Sequence, residues 1–153
     1  MMELKQMIEH SGISCSGIIV ELTESGYLEG TPAVRSVWND MKQLRIQIAL
    51  DDFGTGYSNL MNISNLEPDI VKLDRGFTLK ALSRSYEYQL MQYVIEMVHK
   101  LNQYVCVEGV ETKEDLEKIK ALGPDLIQGY YYSKPCSRDA VSYTHLRAHE
   151  TLA

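Results

Sequence analysis

The sequence is short of cysteine pairs, of positive charge and of long apolar runs, and each shortage removes a class of protein. Cys15, Cys106 and Cys136 are odd in number and far apart, with no C-x-x-C pair, which argues against a disulfide framework or a thiolate zinc site. They read as buried, reduced, small hydrophobic side chains. Lysine and arginine number 15 against 21 aspartate and glutamate, a formal net charge of -6, so there is no basic footprint for a nucleic acid duplex to grip. An anionic ligand would need local help, such as metal ions. No apolar run approaches the roughly 20 residues that span a bilayer, and residues 1–12 are too charged for a signal peptide. The chain reads as cytoplasmic, with no membrane segment. What remains is ordinary: 153 residues, 44% hydrophobic and 24% charged, suit one globular domain.

Short β-branched runs alternate with longer amphipathic stretches, the pattern of parallel βα units. Five strands are expected, at about residues 17–23, 45–51, 69–74, 104–108 and 126–130, with four or five helices. Thr31 can cap a helix with Pro32 at its first position, and Val34, Val37, Trp38, Met41 and Leu44 follow at helical spacing. The longest helix, near 84–101, carries Tyr86, Leu90, Tyr93, Val94, Met97, Val98 and Leu101 on one side, a core or dimer face. Thr112 to Asp115 resembles a capping box, opening a helix that Gly123 and Pro124 close. Leu4, Met7 and Ile8 before Gly12 mark a further helix. The strands recur about every 27 residues, close to the spacing of a TIM barrel. Five are too few to close a barrel, and an open doubly wound sheet fits the same spacing.

Side-chain identity says more. Strand residues alternate faces, and each expected strand sends a polar residue to the side away from its helix layer: Glu21, Asp51, Lys72 with Asp74, Glu108 and Gln128. Buried parallel strands are normally hydrophobic throughout, so charges near five carboxyl ends are anomalous as packing, and that end is where βα enzymes place active sites. Glu21, Asp51, Asp52 and Glu108 are hard oxygen ligands suited to Mg²⁺ or Mn²⁺. Adjacent Asp51 and Asp52 could let one carboxylate bridge two ions, an arrangement suited to phosphodiester hydrolysis, with Lys72 holding the water or a phosphate oxygen. Any one of these carboxylates alone reads as a strand-end cap or a surface ion pair; the set does not. Asp52-Phe53-Gly54 lacks the other kinase motifs, and Gly54-Thr55-Gly56 lacks both the dinucleotide spacing and the Walker lysine, so it reads as a mobile turn over the site. His145 and His149 lack a third zinc ligand and read as part of a solvated tail.

Five segments then occur in order: Glu21-Leu22-Thr23-Glu24-Ser25, Asp51-Asp52-Phe53-Gly54-Thr55-Gly56-Tyr57-Ser58, Val71-Lys72-Leu73-Asp74, Val107-Glu108-Gly109-Val110-Glu111-Thr112 and Gln128-Gly129-Tyr130-Tyr131-Tyr132-Ser133-Lys134-Pro135. Together they resemble the EAL-domain cyclic di-GMP phosphodiesterases over nearly all of residues 1–140. The resemblance implies an α/β fold, a TIM-like (β/α)8 barrel represented here by about five carboxyl-terminal βα units. It implies hydrolysis of cyclic di-GMP to linear pGpG with two Mg²⁺ or Mn²⁺ ions, calcium being inhibitory. By motif, Glu21 and Asp51 would hold the first ion, and Asp51 as bridge, Asp52 and Glu108 the second. Lys72 would position the hydrolytic water, with Lys72, Glu108 and Glu111 in catalytic roles. Asp74, Gln128 and Glu111 resemble residues that support the site or orient substrate, and Glu24 the anchor of the 53–59 loop, which in the family couples the site to dimerisation. Asn59 stands where serine is commoner.

The Glu-Ala-Leu signature and the asparagine on the following strand, both first-ion ligands in the family, would lie before Met1. The expectation is therefore a carboxyl-terminal part of the domain, weakly active or inactive by itself, from a homodimeric parent that could carry a sensory or GGDEF-type domain upstream. A non-catalytic cyclic di-GMP sensor or a dimerisation module is the alternative. Residues 141–153 match nothing in the family and are expected to be a foreign or disordered tail. Unclosed sheet edges predict aggregation of the isolated chain.

Overall fold

The computed structural model describes residues 2–23, 32–55, 63 and 67–137. Glu24, Thr31, residues 56–59 and the 141–153 tail lie outside the described residues. In chain order the elements are α1 (Met2–Ser11), a 3-10 turn (Cys15–Gly17), β1 (Ile19–Thr23), α2 (Pro32–Gln43), β2 (Gln47–Phe53), β3 (Ile70–Leu73), α3 (Arg75–Ser83), α4 (Ser85–Lys100), β4 (Tyr104–Glu108), α5 (Lys113–Lys120) and β5 (Leu126–Gln128). The five strands form one sheet in the order β1-β2-β3-β4-β5, and every neighbouring pair is parallel. A doubly wound sheet reverses its strand order at a switch point. This order runs one way, as in part of a (β/α)8 barrel, which removes the doubly wound alternative.

The register sorts the side chains into two faces. Ile48, Leu50, Val71, Leu73, Val105 and Val107 join Trp38, Met41, Met91, Ile95, Val98, Leu116 and Ile119 in the main core between sheet and helices. On the other face Ala49, Ile70 and Cys106 make a smaller buried cluster. Toward the amino ends of the strands, Ile19, Tyr104 and Leu126 are 47%, 55% and 46% exposed. The free thiols divide three ways: Cys106 buried, Cys15 half-buried and Cys136 exposed, so the expectation of burial holds for Cys106 alone.

Helix stops set where strands begin. Arg45 (φ 60°) and Asn102 (φ 58°) adopt left-handed backbone just past α2 and α4. Ile46 N–H then donates to Met41 O at 3.1 Å and Gln103 N–H to Val98 O at 3.3 Å, the Schellman closure that satisfies orphan carbonyls. Residues 45 and 46 therefore finish a helix, and β2 starts at Gln47 rather than at the expected 45. Gly123 (φ 74°) follows α5 with left-handed backbone, its N–H donating to Lys120 O at 3.1 Å, and the Thr112–Asp115 capping box of that helix is complete. Helix α3 was not singled out in the sequence, because Asp74 reads there as a strand residue. In the structure its carboxylate caps that helix, accepting from Gly76 N–H at 2.7 Å and Phe77 N–H at 3.3 Å.

The amino ends of alternate strands are clamped by a repeated Pro-Asp pair, Pro68-Asp69 before β3 and Pro124-Asp125 before β5. Asp69 Oδ2 accepts from Ile48 N–H at 2.8 Å while Asp69 N–H donates to Ile48 O at 2.9 Å. Asp125 repeats the exchange with Val105 at 2.8 and 3.1 Å, and its Oδ2 also lies 2.9 Å from His99 Nε2. Helix α4 differs from expectation in its rotation. Its core residues are Met91, Val94, Ile95 and Val98, whereas Tyr86 and Tyr93 are 75% and 66% exposed. Met91, Ile95 and Val98 follow i, i+4, i+7 spacing; Val94 and Val98 of the expected stripe join this core, while Tyr86 and Tyr93 lie more than a third of a turn away.

Candidate active site

The carboxyl ends of β1, β2, β3 and β4 bring four charged side chains to one point. Lys72 Nζ lies 2.8 Å from Glu21 Oε1, 2.9 Å from Asp51 Oδ1 and 2.8 Å from Glu108 Oε1. The three oxygens are thus all within about 6 Å of one another, inside the reach of a shared cation or cation pair. Register explains the convergence: Lys72 is opposite Cys106, Glu21 opposite Ala49 and Glu108 opposite Gln128, so all project from the face away from the helices. Burial works against the Lys72 charge, but Glu108, Glu21 and Asp51 outweigh it and hold the ammonium above its ordinary pKa. Beneath it, burial and then the Glu108 charge push the Cys106 thiol up to about 11, which makes it a packing group rather than a nucleophile.

Three carboxylates around one ammonium leave an excess of negative charge. Asp51 Oδ1 is inaccessible to water and, although close to Lys72 Nζ, is out of line for a hydrogen bond. A buried carboxylate oxygen without a donor, in an all-oxygen acidic set, suits a hard divalent cation. Among the described residues no three acidic, histidine or cysteine side chains stand as a ready-made cage, because the carboxylates close on the ammonium instead.

Asp52 owes its place to an irregularity. Leu50 and Phe53 both belong to the helix-side core, which strict alternation forbids for residues three apart. The β2–β3 pairing shifts register between them, and Asp52 has φ 60°, so a bulge fits two residues between two inward-facing neighbours. Asp52 is exposed, and its carbonyl accepts from Thr55 N–H and Oγ1. It does not join the Lys72 cluster.

The other expected site residues divide. Gln128 pairs in register with Glu108 and lines a cavity of about 160 Å³ with it. Glu111 stands apart from Lys72 and accepts from Arg75 Nη2 at 2.7 Å and Nε at 3.1 Å. Asp74 is the α3 cap described above. The sequence reading missed Arg75, although it follows the Lys72-Leu73-Asp74 run directly. It also missed why Gly129 is glycine: a Cβ there would sit 2.0 Å from Val110 O, so the chain leaving β5 passes directly over the β4–α5 turn. Beyond it, Lys134 Nζ lies 5.7 Å from the Tyr130 ring centroid.

A one-way parallel βα sheet with an acidic, lysine-centred cluster at its carboxyl rim defines a barrel protein with a site in the place βα enzymes use. Residues 1–135 match the EAL domain family, and the chain belongs to it. It is similar to the cyclic di-GMP phosphodiesterase PdeF of Escherichia coli (strain K12), 32% identical over 133 residues that cover 87% of this chain and 18% of PdeF. It is also similar to PdeL of the same organism, 32% identical over 118 residues covering 77% and 33%. The chain thus spans between about a fifth and a third of the length of these relatives. Among solved structures, the EAL enzyme Bd1971 with cAMP and cyclic di-GMP bound superposes with a TM-score of 0.86 at 28% identity, covering 92% of this chain and 37% of that one. The manganese and cyclic di-GMP complex of Klebsiella pneumoniae BlrP1 gives 0.81 at 27% identity, covering 87% and 34%.

Proposed function

We propose that this chain carries part of the catalytic apparatus of a cyclic di-GMP phosphodiesterase, which cleaves the cyclic dinucleotide to linear pGpG. The observation that carries the reading is the convergence of Glu21, Asp51 and Glu108 on Lys72. Glu21 and Asp51 would hold one Mg²⁺ or Mn²⁺, and Asp51, Asp52 and Glu108 the second. Bound there, such ions lower the pKa of a coordinated water and neutralise charge on a phosphodiester. Lys72, whose ammonium lies beside all three carboxylates, would serve as a hydrogen-bond donor to water or a phosphate oxygen. Gln128, beside Glu108, would orient substrate. The homologues named cyclic di-GMP phosphodiesterases and the neighbours holding that nucleotide support the substrate class.

For the chain by itself we expect weak or no turnover. One observation favours the non-catalytic sensor as a second reading: the carboxylates are engaged by Lys72 and form no cage among the described residues. Calorimetric titration of cyclic di-GMP with Mn²⁺ and with EDTA, followed by chromatography for pGpG, separates the two. Metal-dependent binding with cleavage supports the phosphodiesterase; tight binding that is indifferent to EDTA and leaves the nucleotide intact overturns it. Homodimerisation is part of the proposal, and the outward Tyr86, Leu90 and Tyr93 stripe of α4 is the apolar surface that supports it.

A further inference from the structure

Arg75 begins α3 directly after the Asp74 cap and is held at both ends. At its stem, Gly109 (φ 82°) leaves no room for a side chain: a Cβ there would lie 2.3 Å from Arg75 Cγ and 2.8 Å from its Cβ. At its head, Nε and Nη2 donate to Glu111 Oε1 at 3.1 and 2.7 Å. That uses two of the five guanidinium N–H donors and leaves three. The side chain is nevertheless 58% exposed, and it lines the cavity of about 160 Å³ that Glu108, Gln128 and Tyr130 share. A surface arginine loses considerable side-chain entropy when fixed in this way, and an exposed ion pair returns little for it. An arginine that lines a cavity with guanidinium donors to spare suits an anionic oxygen group, which Gln128 and Tyr130 would help hold against the nearby Glu108 and Glu111.

We propose that Arg75, held by Glu111 and seated on Gly109, is a phosphate-binding residue, and that with Gln128 and Tyr130 it forms a guanylate subsite that works without metal. The proposal rests on the cyclic di-GMP reading for the identity of the nucleotide. All of its parts lie within this chain, so it does not require the two-ion site to be complete. The probe is pGpG against GpG, which lacks the 5′-phosphate, titrated calorimetrically into the 153-residue chain in EDTA. Charge-assisted hydrogen bonds from a fork of this kind should make pGpG bind about tenfold or more tighter than GpG. Arg75→Gln should erase that preference, and Arg75→Lys, which keeps the stem over Gly109 and the charge but not the fork, should retain only part of it. Near-ultraviolet circular dichroism checks that each variant is folded; if Arg75→Gln is not, the lysine variant decides. Equal binding of pGpG and GpG by the wild-type chain, or an undiminished preference in the folded variant, overturns the subsite. Tight cyclic di-GMP binding that is indifferent to EDTA and leaves the nucleotide intact, with the pGpG preference retained, overturns the catalytic reading and leaves the subsite standing.

Discussion

Replacing Lys72 by methionine keeps most of the stem and deletes the charge at the centre of the site. At an effective dielectric near 20, each approach of about 2.8 Å contributes roughly 6 kcal/mol of attraction, and carboxylates left about 5 Å apart repel by roughly 3 kcal/mol per pair. These raw terms overstate the outcome. Glu21, whose side chain is 50% exposed, can turn to water, and proton uptake relieves part of the remainder. Removing one partner of a buried ion pair costs about 3–5 kcal/mol, and the partial exposure here places Lys72→Met near 3. That is a large share of a margin of roughly 5–15 kcal/mol. Urea unfolding in EDTA should show a lower midpoint with an unchanged slope. The same three carboxylates, freed of their ammonium, should then bind divalent cations better than in the wild type. Millimolar MnCl₂ should accordingly return part of the lost stability to the variant and stabilise the wild-type chain less. Equal midpoints for the two proteins in EDTA, or a variant indifferent to Mn²⁺, would refute the charge-centred account of the site.

Gly129→Ala should prevent proper docking of the segment after β5, since its Cβ would meet Val110 O at 2.0 Å and Val110 N at 2.5 Å; a loss above about 3 kcal/mol by thermal or urea unfolding is expected, and a near-neutral result counts against the crossing described. Asp125 tests the clamp on β5: burial disfavours its charge, but the Val105 N–H and His99 prevail and lower its pKa. A lowered folded pKa adds stability above the unfolded carboxyl value and loses it as pH falls through the folded one, so Asp125→Asn should flatten the acid limb of a stability profile, and an unchanged limb would remove the clamp. Thr112→Ala breaks the capping box of α5 and should cost about 1 kcal/mol in urea unfolding, with no loss expected only if the box is not formed in solution.

How far the sequence disclosed this arrangement depended on which physical signal each residue carries. Alternation along a strand is a strong signal, so Glu21, Lys72 and Glu108 were assigned to the right face from their neighbours alone. Capping chemistry is equally local, and Thr112 with Asp115 announced α5 correctly. Asp74 failed because one carboxylate can end a strand or cap a helix, and only the three-dimensional path after β3 decides between them. The same ambiguity hid Arg75, which reads as an ordinary surface residue until Gly109 and Glu111, more than thirty positions later, are found against it. The α4 stripe shows a different limit. The helix is apolar on two adjoining faces, and periodicity cannot say which one a sheet will cover; the structure buries Met91, Ile95 and Val98 and leaves Tyr86 and Tyr93 outside. Bulges are invisible to alternation by construction, so Asp52 was placed by its chemistry and not by its geometry.

The two rims of the sheet follow opposite rules, and that division argues for function at one of them. At the amino ends, Asp69 and Asp125 satisfy neighbouring backbone groups in both directions and Schellman closures precede β2 and β4, although Gln103 Oε1 is buried there without a hydrogen-bond partner. At the carboxyl ends, a buried Asp51 oxygen whose partner is the Lys72 ammonium, a left-handed Asp52 and an excess of negative charge are gathered together. Each of these features costs stability and none improves packing. A chain shaped by folding alone would carry apolar residues at Glu21, Asp51 and Glu108, continuing the runs seen on the helix side of the same strands. Left-handed backbone occurs at both rims, at Arg45, Glu67 and Asn102 as well as Asp52, but three carboxylates gathered on one ammonium are found at the rim where a barrel places its chemistry. That concentration of charge at one rim fits the site proposed for a cation and an anionic substrate.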